Sequence, residues 1–514
     1  MDSRLDVPPR LSRGLVASLA NVEHNGTDLP PVSTLDLPER IVQFGTGAFL
    51  RGFAEFFVDK ANRQGLFNGL VVAVSSTGSS RDALLNEQDG LFTLATQGMD
   101  GATARQSYRV IGSLSRAISA RDEWESVLVL AREAQIEVVI SNTTEVGIVL
   151  DSSDTFDASP PRSFPGKLTR FLAERAIGVG YDPRRGLVVL PCELIDRNGD
   201  VLREIVLETA RRWALGDRFT RWLAEAVTFC NTLVDRIVPG AVTPDESVRL
   251  GRALGYRDGL LTACEPYALF AIEGDSNIRS RIGFSDADPR IVVAPDIAPY
   301  RERKVRVLNG AHTILVPVAL LAGLETVRDA CANERVGRYV RRATFDEIVP
   351  GLSAPGGKEF ARETFDRFAN PFIRHSLIDI TLHATEKMRV RVVPSILRYA
   401  ERTGRAPLSL AFGFAAHIAF MRGEIRAERR ALGLGMPDDT KGERICAAWR
   451  GIDLSSDEAI VALARSVCCD ADLWGSELGA VVGFADAVSE HLVRIARHGV
   501  ESALDFHLTE PATT

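Results

Sequence analysis

Between residues 40 and 296 the sequence alternates short Val- and Ile-rich runs with longer amphipathic stretches, and that alternation constrains the fold more than any other feature. The apolar runs are RIVQF (40–44), GLVVAVS (69–75), IEVVISN (136–142), GLVVLPC (186–192) and RIVVAPD (290–296), each bounded by Gly, Pro or polar residues. Short runs rich in Val and Ile and bounded in this way read as buried strands. The stretches 49–62, 121–134, 166–176 and 203–213 read as helices between them. Strand, helix, strand repetition predicts parallel units with right-handed crossovers, hence a doubly wound α/β domain over 39–296. After Pro299 the runs 305–330, 359–368, 408–422, 457–466 and 487–498 are helical in pattern, with no strands between them. Residues 297–514 are therefore expected to form a mainly α-helical second domain, and 1–38, polar and proline-dotted, a lead-in. Two domains predict a cleft, where ligands commonly bind.

Composition narrows the partners. Sixty-one basic against 68 acidic residues, interleaved, give a net charge of −7, which excludes the basic footprint of a nucleic-acid binder. No run approaches the 18 or so uncharged apolar residues of a membrane span, so no membrane partner is expected. The seven cysteines form no C-x-x-C pair. Neither a disulfide framework nor a structural zinc site is expected, and a reducing cytoplasm fits. No heptad seam fixes an oligomeric state.

Two segments carry chemistry. The first strand runs into Gly45-Thr46-Gly47-Ala48-Phe49-Leu50-Arg51-Gly52, which opens a helix. Glycines at a strand-to-helix turn let backbone approach a pyrophosphate, whose charge the helix N-terminus favours. Leu50 stands where the third glycine of G-x-G-x-x-G would be, and a ligand-free turn is the alternative. The second strand ends Ser75-Ser76-Thr77-Gly78-Ser79-Ser80-Arg81, with no acid for the ribose hydroxyls of NAD before Asp82, and Arg81 keeps NADP open. The second segment is Tyr300-Arg301-Glu302-Arg303-Lys304, followed by Asn309 and His312. On an α-helix Asn309 lies about 140° and His312 about 80° from Lys304, so all three can edge one cleft. A lysine desolvated at a domain junction can serve as a base, an asparagine amide can donate to a growing oxyanion, and a histidine can bind a hydroxyl.

The K-x-x-x-x-N-x-x-H pattern formed by Lys304, Asn309 and His312 resembles the signature of the polyol-specific long-chain dehydrogenases, the mannitol dehydrogenase family. Further segments resemble it: IVQFGTGAFLRGF (41–53), SNTTEVGI (141–148), PCELIDRNGD (191–200), TLVDRIVPG (232–240) and NPFIRH (370–375). Within the family they look most like the members acting on hexuronates. The resemblance implies an NAD-dependent, zinc-independent oxidoreductase with a Rossmann-type N-terminal domain, acting by reversible hydride transfer on a small sugar acid. It implies Lys304 as general acid/base, Asn309 polarising the reacting oxygen and His312 contacting substrate. Asp235 and Lys387 match further positions at the family's site, and Gly45, Gly47, Ala48, Phe49 and Arg51 match its cofactor loop. Mannitol dehydrogenases have C-D-N where this chain has Cys192-Glu193-Leu194, which removes an oxyanion asparagine. A sugar acid needs a cation for its carboxylate; Arg374, with His375 beside it, is the candidate, and Arg301 and Arg303 are rivals. The competing readings are a sister enzyme for another uronate or a polyol, and a dinucleotide-binding sensor without catalysis.

Overall fold

The computed structural model describes residues 8–19, 26–76, 78, 80–101, 103–143 and 147–509. The chain forms two compact units, one of residues up to 97 with 105–297, the other of 98–104 with 298 onward.

The first unit is built on six parallel strands: β1 Glu39–Phe44, β2 Leu70–Ser75, β3 Leu114–Ser119, β4 Val138–Ser141, β5 Val188–Pro191 and β6 Thr228–Phe229. Their order is β3-β2-β1-β4-β5-β6, a doubly wound Rossmann sheet whose order reverses between β1 and β4. Period-2 alternation sends Ile41, Val71, Ala73, Val138 and Ile140 into one core layer with Phe53, Phe57 and Phe270. Val42, Phe44, Val72, Val74 and Val139 enter the opposite layer with Trp124, Phe164 and Phe171. Both faces of β2, β4 and β5 are covered, and every residue of these three strands is buried.

The fifth apolar run departs from expectation. Ile291–Ala294 pairs in parallel with Leu269–Glu273, which runs antiparallel to Thr232–Asp235, so the run belongs to a separate three-stranded sheet. A further sheet holds Phe92–Asp100 and Thr103–Ile111, neither of which the apolar runs marked; residues 103–107 of the second are exposed. The helix expected at 49–62 is two, Ala48–Arg51 and Ala54–Arg63, broken at Gly52 and Phe53. A Cβ on Gly52 would sit 3.0 Å from Val238 Cγ1, and the Phe53 ring stacks on Phe49 at 5.0 Å and meets Phe270 at 5.1 Å.

The second unit is helical, and 298–509 contains no β pairing beyond an isolated bridge between Thr326 and Ser376. Leu408–Phe420 is buried along nearly its whole length, with Phe484–Thr509 packed on it. The helical run expected at 305–330 instead begins at Ala298 and stops at Leu321. It turns at Gly323 (φ +74°) and resumes at Val327, where the Thr326 hydroxyl accepts from Asp329 N–H. The segment Ala298–Leu321 is long and apolar enough to cross a membrane, but 67% of its apolar window is buried within the protein, as a core helix requires. Within it Lys304–Asn309 is a π-helical turn, and two more π turns occur among the described residues, at Ala343–Ile348 and Met388–Val392.

Candidate active site

In the first unit the glycine loop leaves β1 at the point where strand order reverses, the place where open α/β sheets bind ligands. Gly45 N–H donates to Val74 O at 2.8 Å. Gly45 has φ +126°, and a Cβ there would stand 3.0 Å from Asn142 O and 3.2 Å from Leu50 Cδ1, so glycine is required. Gly47 faces open space, with nothing within 4 Å of a built Cβ. Gly47, Ala48 and Phe49 are half-buried and face outward enough to meet a ligand.

Arg51, matched by resemblance to the cofactor loop, is instead buried under it. Its Nη1 donates to Thr46 O at 2.8 Å, and its Nε and Nη2 to Thr262 Oγ1 at 3.3 and 3.1 Å. Gln43 Nε2 donates to Gly45 O at 2.9 Å and to Glu55 Oε1 at 2.7 Å. Burial pushes the Glu55 carboxyl up to about 7. Arg51 and Gln43 thus hold the loop's carbonyls from below.

At the end of β2 the Ser75 hydroxyl donates to the buried Asp82, which takes that carboxylate out of play for a ribose. Thr77 and Ser79 lie outside the described residues, as do residues 144–146 of the SNTTEVGI segment. A cavity of about 470 Å³ opens beside Gly78, lined by Ser80, Ser119, Arg121, Asp122 and Glu123. A Cβ on Gly78 would stand 2.9 Å from Asp122 Oδ2. The exposed carboxylates at this cavity therefore follow β3, a strand the sequence reading did not find.

Glu193 of the Cys192-Glu193-Leu194 segment is buried and structural. Its Oε1 accepts from Thr143 N–H at 2.9 Å and Thr143 Oγ1 at 3.1 Å, and its Oε2 from Ser141 Oγ at 3.1 Å. It ties the loop after β4 to the end of β5. Leu194 is exposed and offers no polar group. Asp235 is buried at the end of its strand, opposite Leu269.

In the second unit Lys304, Asn309 and His312 are half-buried along the same helical segment. The α-helical angles do not apply between the first two, because Gly310 N–H donates five residues back, to Val305 O. Hydrogen bonding from i to i+5 brings residues five apart onto successive turns of one face, and such turns recur at functional sites. The 304–309 turn packs against the π turn 388–392, which follows Lys387 directly. His312 lies 4.1 Å centroid to centroid over the Phe368 ring and 5.0 Å edge-on from His375. Its Nε2 is buried with no hydrogen-bond partner among the described residues. Burial pushes the His312 imidazole well below its ordinary range, and His375, Arg367, Arg391 and Lys387 push it further. His375 is lowered by burial, against the pull of Asp379. Lys387 donates to Ile380 O at 2.9 Å, and burial followed by Arg391 lowers its pKa.

His312, His375 and Lys387 are thus brought together beside the turn that carries Lys304 and Asn309. Arg374 is not: its side chain is 80% exposed and forms an ion pair with Glu325 at 3.2 Å. Arg303 donates to Pro355 O at 3.2 Å. The sequence reading missed Arg391 and Arg367; the K-x-x-x-R spacing of Lys387 and Arg391 was a signal for the first, and the second left none. Among the described residues, no three His, Cys, Asp or Glu side chains stand together to hold a metal, and all seven cysteines are free thiols.

A Rossmann sheet with a glycine loop at its switch point, and a separate helical unit carrying a lysine, an asparagine and an unpartnered histidine, define a dehydrogenase. The Rossmann domain of mannitol dehydrogenase matches residues 39–284, and the mannitol dehydrogenase C-terminal domain matches 296–440. The chain belongs to the mannitol dehydrogenase family. It is 40% identical over 469 residues to an altronate oxidoreductase of Bacillus subtilis (strain 168), covering 91% of this chain and 95% of that protein. An altronate oxidoreductase of Yersinia pestis is 40% identical over 472 residues, covering 91% and 96%. Among solved structures, mannitol 2-dehydrogenase of Pseudomonas fluorescens in ternary complex with NAD and D-mannitol superposes with a TM-score of 0.66 at 23% identity, over 98% of this chain and 100% of that one. Substrate-free D-sorbitol dehydrogenase superposes at 0.75 and 21% identity, over 96% and 100%. At those identities the two structures establish the fold.

Proposed function

We propose that the chain interconverts D-altronate and D-tagaturonate with NAD(H) as a cytoplasmic enzyme of sugar-acid breakdown. The observation that carries this reading is the 40% identity to altronate oxidoreductases over nine-tenths of the chain. The geometry of the loop supports a dinucleotide. Gly47 leaves open space where a phosphate would approach, and the carbonyls of Gly45 and Thr46 are held from behind by Gln43 and Arg51. Gly45, Gly47, Ala48 and Phe49 are the residues we assign to holding it, with Arg51 as a positioning residue beneath. When bound, the dinucleotide supplies the hydride to the ketone carbon, or accepts it from the alcohol carbon.

The chain's own residues handle the proton and the charge. In reduction the Lys304 ammonium gives a proton to the carbonyl oxygen as that carbon gains its hydrogen; in oxidation the neutral amine takes it back. Asn309, one π turn on, donates from its amide to the same oxygen while negative charge builds there. His312 stays neutral at pH 7 because burial opposes its charged form, and its buried Nε2 is free to bond a substrate hydroxyl. Asp235, His375 and Lys387 are assigned to substrate contact.

Purified protein is tested by loss of NADH absorbance with D-tagaturonate, D-fructuronate and D-fructose in turn. Turnover confined to tagaturonate supports the reading; a preference for either other ketose overturns the substrate and keeps the chemistry. No turnover with NADH or NADPH overturns the reading as a whole.

A further inference from the structure

The altronate reading puts a carboxylate on the substrate, at the far end of the carbon chain from the reacting carbonyl, and leaves open what receives it. Arg374 is poorly placed, exposed to solvent and already paired with Glu325. The helical unit offers another cation. Arg391 stands four residues after Lys387, on the π turn Met388–Val392 that packs against both 304–309 and the helix Gly310–Leu321 carrying His312.

Arg391 is half-buried and makes no side-chain hydrogen bond or ion pair among the described residues. Its neighbours on the same unit differ. Arg389 is bonded to Glu386, Arg335 to Asp505 and Arg497 to Asp457. Burial alone lowers the Arg391 pKa, with no carboxylate offsetting it. A guanidinium held away from water without a counter-charge is a costly arrangement unless an anion completes it. The charges acting on His312 are cationic: His375, Arg367, Arg391 and Lys387. The acids facing this group are Asp379, which acts on His375, Asp439, which acts on Lys387, and Glu363, which faces Arg367. Asp439 is itself engaged by Thr385 N–H at 3.0 Å and Thr385 Oγ1 at 2.8 Å.

We propose that Arg391 receives the substrate carboxylate, within a cationic group completed by Lys387 and Arg367, and thereby selects sugar acids over neutral ketoses. The planar guanidinium suits a carboxylate in two-point contact, while the orphaned Nε2 of His312 takes a hydroxyl nearer the reacting carbon.

This inference rests on the altronate reading, and its test separates the two. Steady-state kcat/KM is measured for D-tagaturonate and for D-tagatose, the ketose with CH₂OH in place of the carboxylate. Wild type, Arg391→Met, Arg391→Lys and Arg374→Met are compared, with melting temperature and NADH affinity as controls for folding. Loss of a charge-assisted contact predicts that Arg391→Met lowers the tagaturonate-to-tagatose ratio about 10- to 100-fold, chiefly through KM, with Arg391→Lys in between. Arg374→Met is expected to leave the ratio within about twofold. A ratio preserved in Arg391→Met, or lost in Arg374→Met instead, overturns the assignment and leaves the altronate reading standing. Should wild type prefer fructuronate, the altronate reading falls and the same ratio, fructuronate to fructose, judges Arg391. A wild type that does not discriminate acid from neutral ketose overturns the carboxylate site outright.

Discussion

Replacing Arg51 with methionine separates a residue that touches the cofactor from one that holds the loop. The guanidinium makes one bond to Thr46 O at 2.8 Å and shares Thr262 Oγ1 through Nε and Nη2. A hydrogen bond from a charged donor contributes about 1.5–3 kcal/mol, but burial already lowers the Arg51 pKa, so part of that is spent against desolvation. Methionine fills much of the space, leaving a net loss of about 2–4 kcal/mol. At about 2–4 °C per kcal/mol, the transition of the first unit should fall by roughly 5–15 °C. That transition is recognised as the one NADH raises. Glu55, held at about 7 beside Arg51, supplies the second reading. Without the cation its carboxyl rises further and is protonated at neutral pH, so Arg51→Met combined with Glu55→Gln should cost less than the sum of the single changes by about 1 kcal/mol. NADH affinity, by fluorescence titration, should weaken in step with stability. A tenfold or larger loss of affinity with an unchanged melting temperature, or strictly additive costs, would refute the brace and put the guanidinium on the cofactor.

Lys304→Met should lower kcat roughly 10²–10⁴-fold with NADH affinity unchanged, as loss of a general acid requires, and a drop under tenfold excludes Lys304 from that role. Gly45→Ala forces a Cβ to 3.0 Å from Asn142 O at φ +126°; about 1–3 kcal/mol of destabilisation with weakened NADH binding is expected, read by urea unfolding and titration. His417, buried and hydrogen-bonded to Thr385 Oγ1 at 3.1 Å, is lowered to about 4. Between about 4 and 6.5 the unfolded chain therefore binds the proton that the folded one refuses. The contribution of His417 is complete above about 6.5 and is lost as pH falls towards 4, by about 3 kcal/mol in all. The stability difference between wild type and His417→Gln, followed by urea unfolding, should shrink over that window; a flat difference counts against it.

The central strands β1, β2, β4 and β5 were legible because they are buried on both faces, whereas the edge strand β3, with Arg116 exposed, was not. Val71 and Val139 have no polar alternatives to confuse the pattern, and the cores they enter lie on either side of the sheet. The polar strand Thr103–Ile111 left no such trace, since its exposed residues carry the composition of a loop. At the site, residue types were legible and their surroundings were not. Arg51 and Arg374 stand where a motif and a carboxylate argument ask for cations. Yet the first is buried under Thr46, and the second is neutralised by Glu325 across 49 positions of sequence. Pairing is a tertiary fact, and Arg391 matters for the converse reason that no partner reaches it.

The spacing of Lys304, Asn309 and His312 finds its physical sense only in the π turn. On a regular α-helix a step of five residues turns a side chain about 140° away, so Lys304 and Asn309 would flank His312 from opposite sides. With Gly310 N–H reaching back five residues to Val305 O, the same step comes close to one full turn. Lys304 and Asn309, the proposed proton donor and amide, then follow one another along one face, and His312 comes three residues later on the regular helix Gly310–Leu321. A π turn is an α-helix with one residue added, and its looser hydrogen bonding is kept where side-chain placement demands it. Here the demand recurs. The turn holding Lys304 packs on a second, Met388–Val392, which sets Arg391 one residue short of its end. Two widened turns in contact carry the proposed proton donor on one and the proposed carboxylate seat on the other. Two of the three π turns among the described residues of the helical unit therefore carry the residues proposed for the two ends of the substrate that most need fixed positions, the reacting carbonyl and the charged terminus.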